Sequence, residues 1–411
     1  MRYCEGMCKV VAKKLLILGG SRYILPVIEA AHDMGHRVIT MDYLPDNIAH
    51  KYSDEYANVS IVDKDAVYEA AKDLKVDGIM SFAADPGVVP AAYAAEKLGL
   101  PFQGSADAVA TLQNKGKFRA FLRDNEFNCP QIFVFGSVNE AIDAADEIPY
   151  PVIVKPTDSA GSKGCTRVDG ADQLALAVEY ALEFSLSNTV IVEQFMEKKY
   201  PSSDADGFTV DGEFKCISFT SQYFDSNAAN PYTPAAFGMP CNMPKAAVLQ
   251  LTDDLQRLAY LLNLGTGVYN IETRVGTDGL PYIMEISPRG GGNRLCEMLR
   301  YASNVDLIRA SVQGALGEII EGVCEPEYDG FWYQEILHSQ NGGIYKEILY
   351  ADGFKGEHVR DEQLWIKPNT KVEGFSGAQH AFGTVFMRFD TQQELEKFVA
   401  NKGEFMKVIV E

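Results

Sequence analysis

The chain has 411 residues, 46% of them hydrophobic and 23% charged, the balance of a globular protein rather than of a disordered or fibrous one. A formal net charge of −20 excludes a general binder of nucleic-acid backbones, which needs clustered Lys and Arg, while leaving room for a small anion held locally. No run reaches the length of a membrane span, and at this size one core gives way to roughly two to four domains.

The opening stretch, MRYCEGMCKVVAKKLLIL, has its apolar run broken by Lys13 and Lys14. That does not fit a signal peptide, so a cytoplasmic protein is expected. Cysteines stand at 4, 8, 129, 165, 216, 241, 296 and 324 with no CxxC spacing. Cys4 and Cys8 lack a second Cys or His cluster to complete a metal site, so the thiols read as buried or incidental ones in a reducing compartment.

From there strands alternate with helices. KKLLILGG is a short apolar run ending in glycine, ILPVIEAAHDMGH has helical spacing closed by Gly35, and RVITMD is the next strand. AVYEAAKDLKVDGIMSFA repeats the pattern and GVVPAAYAAEKLGLP adds a helix stopped at Gly-Leu-Pro. Such alternation predicts a parallel sheet covered on both faces, running from Met1 to about Leu112. The turn Gly19-Gly20-Ser21 invites a dinucleotide site with Asp42 as its ribose acid, but GxGxxG is absent. A helix start behind small residues takes any anion, a carboxylate included.

SADAVATLQNKGKFRAFLRDNEFNCP predicts two short helices, the second carrying Lys115, Lys117 and Arg119. In YPVIVKPTDSAGSKGCTRV, Lys155 ends an apolar strand, so its stem is buried and its ammonium emerges at the tip. The small and polar residues of Thr157–Gly164 let backbone N–H groups approach phosphate oxygens, although the loop is no Walker motif. Read alone, it is equally a plain hairpin loop. TVIVEQFM ends a buried strand in Glu193 and then presents Gln194, Phe195 and Met196, able to give an adenine backbone hydrogen bonds and apolar walls.

VYNIETRVGTDGLPYIMEI reads as a hairpin about GTDG, with Asn270, Glu272 and Arg274 on one face. Pairing Gly276 with Pro281 sets Glu272 opposite Glu285 and Asn270 opposite Ser287, their β-carbons about 4.5–5.5 Å apart. Two carboxylates that close repel unless a proton or cation lies between them. The flanking residues are apolar, so a divalent ion bridged by both acids is the better reading than open, solvated acids, and oxygen ligands favour Mg²⁺. PYIMEISPRGGGNR then places Arg289 and Gly290–Gly292 straight after the strand. NAANPYTPAAFGMPCNMP, within Ser221–Met243, is long and Pro-rich and need not be ordered without ligand. From Phe331 the chain is mixed and strand-rich.

The order Lys115, Val-Lys155-Pro with its glycine loop, Glu193-Gln-Phe-Met, paired Glu272 and Glu285, then Arg289, resembles the ATP-grasp superfamily over nearly the whole chain. The resemblance implies an α/β and α+β architecture: a parallel-sheet pre-ATP-grasp domain (1–112), a lid subdomain with helical linker (113–200), a catalytic core (201–330) and a small mixed C-terminal domain (331–411). It implies that Lys115 and Lys155 contact nucleotide phosphates under a lid loop of Ala160, Gly161, Ser162, Lys163 and Gly164. Glu193, Gln194, Phe195 and Met196 would hold adenine. Glu272 and Glu285 would ligate Mg²⁺, with Glu285 bridging two ions and Mn²⁺ admissible. Arg289, with Lys155, would act on the transferred phosphoryl group. Ser287 stands where most members carry an asparagine ligand, as in the formate-dependent glycinamide ribonucleotide transformylase, and is the third candidate ligand. No acid aligns with the usual ribose position, which leaves Asp204 or Asp206.

Gly19, Gly20, Ser21, Asp85, Arg289, Gly290 and Gly291 are the expected acceptor residues. The implied activity is ligation of a small carboxylate, through an acyl phosphate, to an amine, with release of ADP and phosphate. No nucleic-acid or membrane partner is expected, and a homodimer is compatible. Alternatives are activation of bicarbonate, as in carbamoyl-phosphate synthetase or biotin carboxylase, and nucleotide binding without catalysis, against which the retained Glu272, Glu285 and Arg289 argue. An NAD-dependent oxidoreductase fails for want of its fingerprint.

Overall fold

The computed structural model describes residues 11–159 and 163–411. Cys4 and Cys8 therefore lie outside the described residues, as do the lid residues Ala160, Gly161 and Ser162.

The first layer is the expected parallel sheet. Strands β1 (Lys14–Leu18), β2 (Arg37–Met41), β3 (Glu55–Ala57) and β4 (Gly78–Ser81) lie in the order β3-β2-β1-β4, all parallel. Leu15 to Leu18 are fully buried because helices cover both faces. Those helices are α1 (Leu25–Asp33), α2 (Lys64–Leu74) and α3 (Val88–Leu98). Asp63 caps α2 by accepting from the Asp65 and Ala66 N–H groups, and α3 stops at Gly99, whose φ of 67° suits a residue without Cβ. The chain leaves β1 toward β2 on one side while β4 lies on the other. The loops after β1 and β4 therefore meet at a topological switch point, where such sheets bind ligands.

Helices α4 (Ala106–Gln113) and α5 (Lys115–Asp124) form the linker, separated by Asn114, which caps α5 by accepting from Lys117 N–H. The lid subdomain follows: β5 (Ile132–Phe135), α6 (Val138–Asp143), β6 (Val152–Pro156), β7 (Thr166–Val168), α7 (Ala171–Leu182) and β8 (Val190–Gln194). Its antiparallel sheet runs β5-β8-β6-β7, with α6 and α7 packed over one face around Val152, Val154, Leu174 and Val178.

The central sheet, β10-β9-β13-β14, is built from β9 (Ser203–Val210), β10 (Glu213–Ser218), β13 (Gly267–Val275) and β14 (Pro281–Ser287). Helix α8 (Lys245–Leu261) packs on both edge strands, β14 and β10, and α10 (Leu307–Ala315) packs on β13, with α9 (Leu295–Ser303) and α1 against α10. One hydrophobic core runs from Ile17 and Val27 through Phe208 and Val268 to Leu299, Ile308 and Phe386, so the N-terminal sheet and the central sheet are welded together.

Strand pairing bears on the boundary expected near residue 330. A boundary near residue 330 would cut a sheet: β11 (Ser221–Phe224) and β12 (Pro234–Met239) join β15 (Phe331–Leu337), β19 (Gly383–Phe389) and β17 (Val359–Leu364) in the order β11-β12-β15-β19-β17. Among the described residues, only β16 (Gly343–Tyr350), β18 (Lys371–Val372) and β20 (Met406–Val410) form a sheet wholly within the C-terminal segment. The Ser221–Met243 stretch contributes β11 and β12 to this sheet. Its turn is pinned by Asp225, which accepts from His338 Nε2 (3.2 Å) and Gln340 Nε2 (2.9 Å), and by the Asn230 N–H bonded to Phe375 O.

Candidate active site

One cleft of about 560 Å³ lies where the lid subdomain, the central sheet and the switch-point loops meet. Lys115, Lys155, Glu193 to Met196, Glu272, Glu285, Arg289 and Asp85 all line it. Residues separated by some two hundred positions in sequence thus converge, because β6 and β8 of the lid overhang the hairpin β13–β14.

The floor of the cleft is a grid on three adjacent strands. Glu272 pairs with Glu285 on one side and Asp204 on the other, and Asn270 pairs with Ser287 and Asp206. The pairing at the acids is the one expected, reached differently. The tip pairs Val275 with Pro281, and a bulge between Thr273 and Glu272 absorbs Met284. The bulge turns Met284 to the cleft, where it meets Met196 and Tyr282 in a small apolar cluster.

Each acid of the central pair touches a cation. Lys115 Nζ is 3.4 Å from Glu285 Oε2 and donates to Ser159 O at 2.9 Å, and Arg274 Nη2 is 3.5 Å from Glu272 Oε1. Burial alone would lower the Lys115 pKa, but Glu285 overrides it and keeps the ammonium charged. Asp204 is the opposite case. Burial, then the charges of Asp206 and Glu272, raises its pKa to about 8 despite the Asn270 Nδ2 bond to Oδ1 at 2.6 Å. Among the described residues no cluster of three or more His, Cys, Asp or Glu is arranged to hold a metal ion. Glu272 and Glu285 therefore fit a divalent cation only if phosphate oxygens and water supply the rest of its shell.

At the lid end, the Glu193 carboxylate is fully engaged. Arg119 Nε donates to it at 2.6 Å and Lys155 Nζ at 3.0 Å, with both Arg119 and Glu193 buried. Burial pushes the Glu193 pKa up, but the two cations outweigh it and hold it at about 2. Its backbone lies inside the sheet between β5 and β6, and its carboxylate is taken by Arg119 and Lys155. Gln194 N–H is taken by Gln131 O and Phe195 N–H by Pro151 O, whereas Met196 N–H has no backbone partner among the described residues. The Arg167 guanidinium lies 4.3 Å above the Phe195 ring. Of the lid loop, Ser159 and Cys165 line the cleft, Lys163 is exposed, and Gly164 packs on Pro156 and Phe184.

At the opposite end Arg289 is held by Asp85 through Nε to Oδ1 (2.7 Å) and Nη2 to Oδ2 (2.8 Å), and it donates to Asn270 Oδ1 at 3.1 Å. This bidentate pair ties β14 to the loop after β4. Ser287 sits in the same network, its hydroxyl donating to Asp85 Oδ1 at 3.0 Å and accepting from Gln113 Nε2 at 2.5 Å. That oxygen is committed within the protein, which leaves it poorly placed as a metal ligand. Asp204 and Asp206, proposed for ribose, instead stand in the acid grid, and Asp206 accepts from Gly291 N–H and Cys296 Sγ.

The glycine run is also reassigned. A Cβ on Gly290 would meet the Phe82 ring at 2.4 Å, and one on Gly291 would meet Asp206 Oδ1 at 2.8 Å, so both serve the protein's own packing. Gly292 alone lines the cleft. Gly19, Gly20 and Ser21 lie behind it: Gly20 is packed against Asn47 and His50, and Tyr23 is the residue of that loop that reaches the cleft, donating to Asn293 Oδ1 at 3.2 Å. Sequence reading placed Arg119 on its helix without a role, and missed Asp85 as the partner of Arg289 and Arg167 beside Phe195. Only the basic helix α5 carried a signal for the first.

Known proteins place this arrangement. Residues 28–102 match the ATP-grasp N-terminal domain model and residues 118–305 the model of the D-ala D-ala ligase C-terminus. The chain thus carries ATP-grasp domains over these two spans. It is 25% identical over 341 residues to the carbamoyl phosphate synthase large chain of Corynebacterium glutamicum, covering 77% of this chain and 30% of that one. Phosphoribosylglycinamide synthetase from Anaerococcus prevotii superimposes with a TM-score of 0.75 at 20% identity, over 98% of this chain and 100% of the other. L-amino acid ligase from Bacillus licheniformis does so with a TM-score of 0.78 at 19% identity, over 97% and 99%. Among the described residues no helix is long and apolar enough to cross a membrane.

Proposed function

We propose that the protein is an ATP-dependent carboxylate–amine ligase that forms an acyl phosphate and releases ADP and phosphate. The observation that carries this reading is the convergence in one cleft of two lysines, a paired-acid hairpin and a held arginine, in line from the adenine end to the switch point. The adenine lies against Phe195, Met196 and Met284, with Met196 N–H as donor. Lys115 and Lys155 hold the phosphates, each released from the carboxylate it now pairs with. Glu272 and Glu285 would hold Mg²⁺, two ions of it, which would neutralise charge on the phosphates. Arg289, oriented by Asp85, stabilises the oxygens of the phosphoryl group as it passes to the acceptor carboxylate, so the chain contributes positioning and charge rather than covalent chemistry.

A carboxylate and an amine, amino acids first among them, are the substrates this supports, since an L-amino acid ligase shares the fold over nearly its whole length. Bicarbonate is the second reading, favoured by the similarity to carbamoyl phosphate synthase large chains, of which this chain spans only 30%. Phosphate release should be screened over amino acids, small carboxylates and bicarbonate with ATP and Mg²⁺, with hydroxylamine present to trap an acyl phosphate as its hydroxamate. ADP, phosphate and a hydroxamate are expected with one carboxylate. AMP and pyrophosphate as the main products would overturn the reading, and turnover with bicarbonate alone would shift it to the second.

A further inference from the structure

Six Lys and Arg side chains line the cleft, and five of them gather about its acid row and adenine end. Lys115 stands against Glu285, Lys155 against Glu193, and Arg274 between Met196 O and Glu272. Arg167 lies over Phe195, and Lys198 feels the charges of Arg274 and Glu272. Among the described residues, Arg289 is the one lining cation left at the switch-point end.

Arg289 has little left to give a substrate. It makes four hydrogen bonds inside the protein, to both Asp85 carboxylate oxygens, Asn270 Oδ1 and Gly290 O. One Nη2 hydrogen remains for a substrate oxygen. Burial pushes the Asp85 pKa up, but the Arg289 charge and hydrogen bonds outweigh it and hold the carboxyl below its ordinary value. Asp85 is therefore ionised, and the pair carries no net charge to attract a further anion.

The rest of this end is uncharged. Tyr23 comes from the loop after β1, Ala83 from the loop after β4, and Gly292 and Asn293 follow β14. The Tyr23 ring is fixed edge-on against Trp365 at 5.9 Å and by its bond to Asn293 Oδ1. Burial raises its pKa to about 12 against the pull of Arg22 and Arg294, so the phenol is neutral. Ala83 and Asn293 both have a φ of 54°, the left-handed region that strains a residue with a Cβ and that concentrates at ligand sites. The strain sits where the wall is neutral.

We propose that the switch-point end takes a monocarboxylate whose side group is uncharged and apolar, and that Tyr23 is the specificity-determining residue against which that group packs. One oxygen of the reacting carboxylate meets the free Nη2 hydrogen of Arg289. A second carboxylate or a phosphate on the acceptor would be buried here facing Asp85 and no free cation, which penalises it. The assignment rests on the reading that the cleft phosphorylates a carboxylate.

The test uses the full chain with ATP, Mg²⁺ and hydroxylamine, and reads hydroxamate formation for matched acceptors: leucine against aspartate, glutamine against glutamate, isovalerate against succinate, serine against phosphoserine. Uncharged members should turn over with kcat/KM at least about tenfold above their anionic counterparts. Tyr23→Lys, which adds a cation to the wall, should bring that ratio toward one. Tyr23→Ala, which empties the wall, should raise kcat/KM for phenylalanine relative to alanine. Equal or faster turnover of the anionic members by the unaltered protein would overturn the selectivity while leaving the ligase reading intact. Unchanged ratios in both variants would remove Tyr23 from the assignment. Absence of hydroxamate with every carboxylate, or turnover with bicarbonate alone, would overturn the ligase reading and this assignment with it.

Discussion

Glu193 shows why a residue's chemistry cannot be assigned from its neighbours in sequence. Its carboxylate serves Arg119, whose Nη1 and Nη2 are buried without partners among the described residues, so the Nε bond at 2.6 Å is the contact that compensates a buried cation. Glu193→Gln should therefore destabilise the protein by about 3–5 kcal/mol, the cost of stranding one half of a buried pair. The pH dependence has a definite sign. The carboxyl falls from an ordinary 4.5 to about 2 in the folded state, so its stabilisation is complete above pH 4.5 and is lost as pH falls toward 2. Thermal melts of the two proteins should differ most near neutrality and converge in acid. A gap that stays constant from pH 7 to pH 3 would show that the charge of Glu193 is not what Arg119 requires.

Among elements, the β6–β7 hairpin and the β13–β14 hairpin form the two jaws of the cleft, joined through α5. Lys155 ends β6 beside Glu193 of β8, while Lys115 at the start of α5 reaches across to Glu285 of β14. A nucleotide that draws both lysines onto its phosphates ties the jaws together. Hydrogen exchange over Val152–Pro156 and Thr166–Val168 should then slow when an ATP analogue and Mg²⁺ are added, and α2 on the far side of the N-terminal sheet should be unaffected. Equal exchange of the hairpin with and without nucleotide would remove it from the binding site. The bulge at Met284 belongs to this scale too. Without it, a tip that pairs Val275 with Pro281 would carry its register one residue out of step to Glu285, and the acid would leave the cleft face.

For the molecule as a whole, the C-terminal segment is integral to the half that carries β11 and β12. β15 pairs with β12 along Trp332 to Glu335, and Arg294 reaches from the end of the glycine run to Asp361 Oδ2 at 2.7 Å. A chain ended at residue 330 would leave the β15-facing edge of β12 unpaired and expose Phe237 and Met239, which are buried in the full protein. Loss of cooperative melting and aggregation are expected of it. A soluble, cooperatively melting 1–330 fragment would mean that the boundary placed there from sequence is a true one.

What the sequence by itself determined was whatever rests on local periodicity and spacing. The alternation of apolar strands and helices to Leu112, the buried strand ending at Lys155, and the acids at Glu272 and Glu285 on one hairpin face were all legible, because side-chain direction follows from a period of two or 3.6. Pairings between distant segments carry no such period. Arg119 with Glu193, Arg289 with Asp85 and Ser287 with Gln113 could not be read, since nothing in either partner's surroundings marks the other. The same holds for Gly290 and Gly291, whose missing side chains leave room for Phe82 and Asp206. A buried charge or polar atom must find its complement wherever the packed core brings one near, and only the tertiary structure decides where that is.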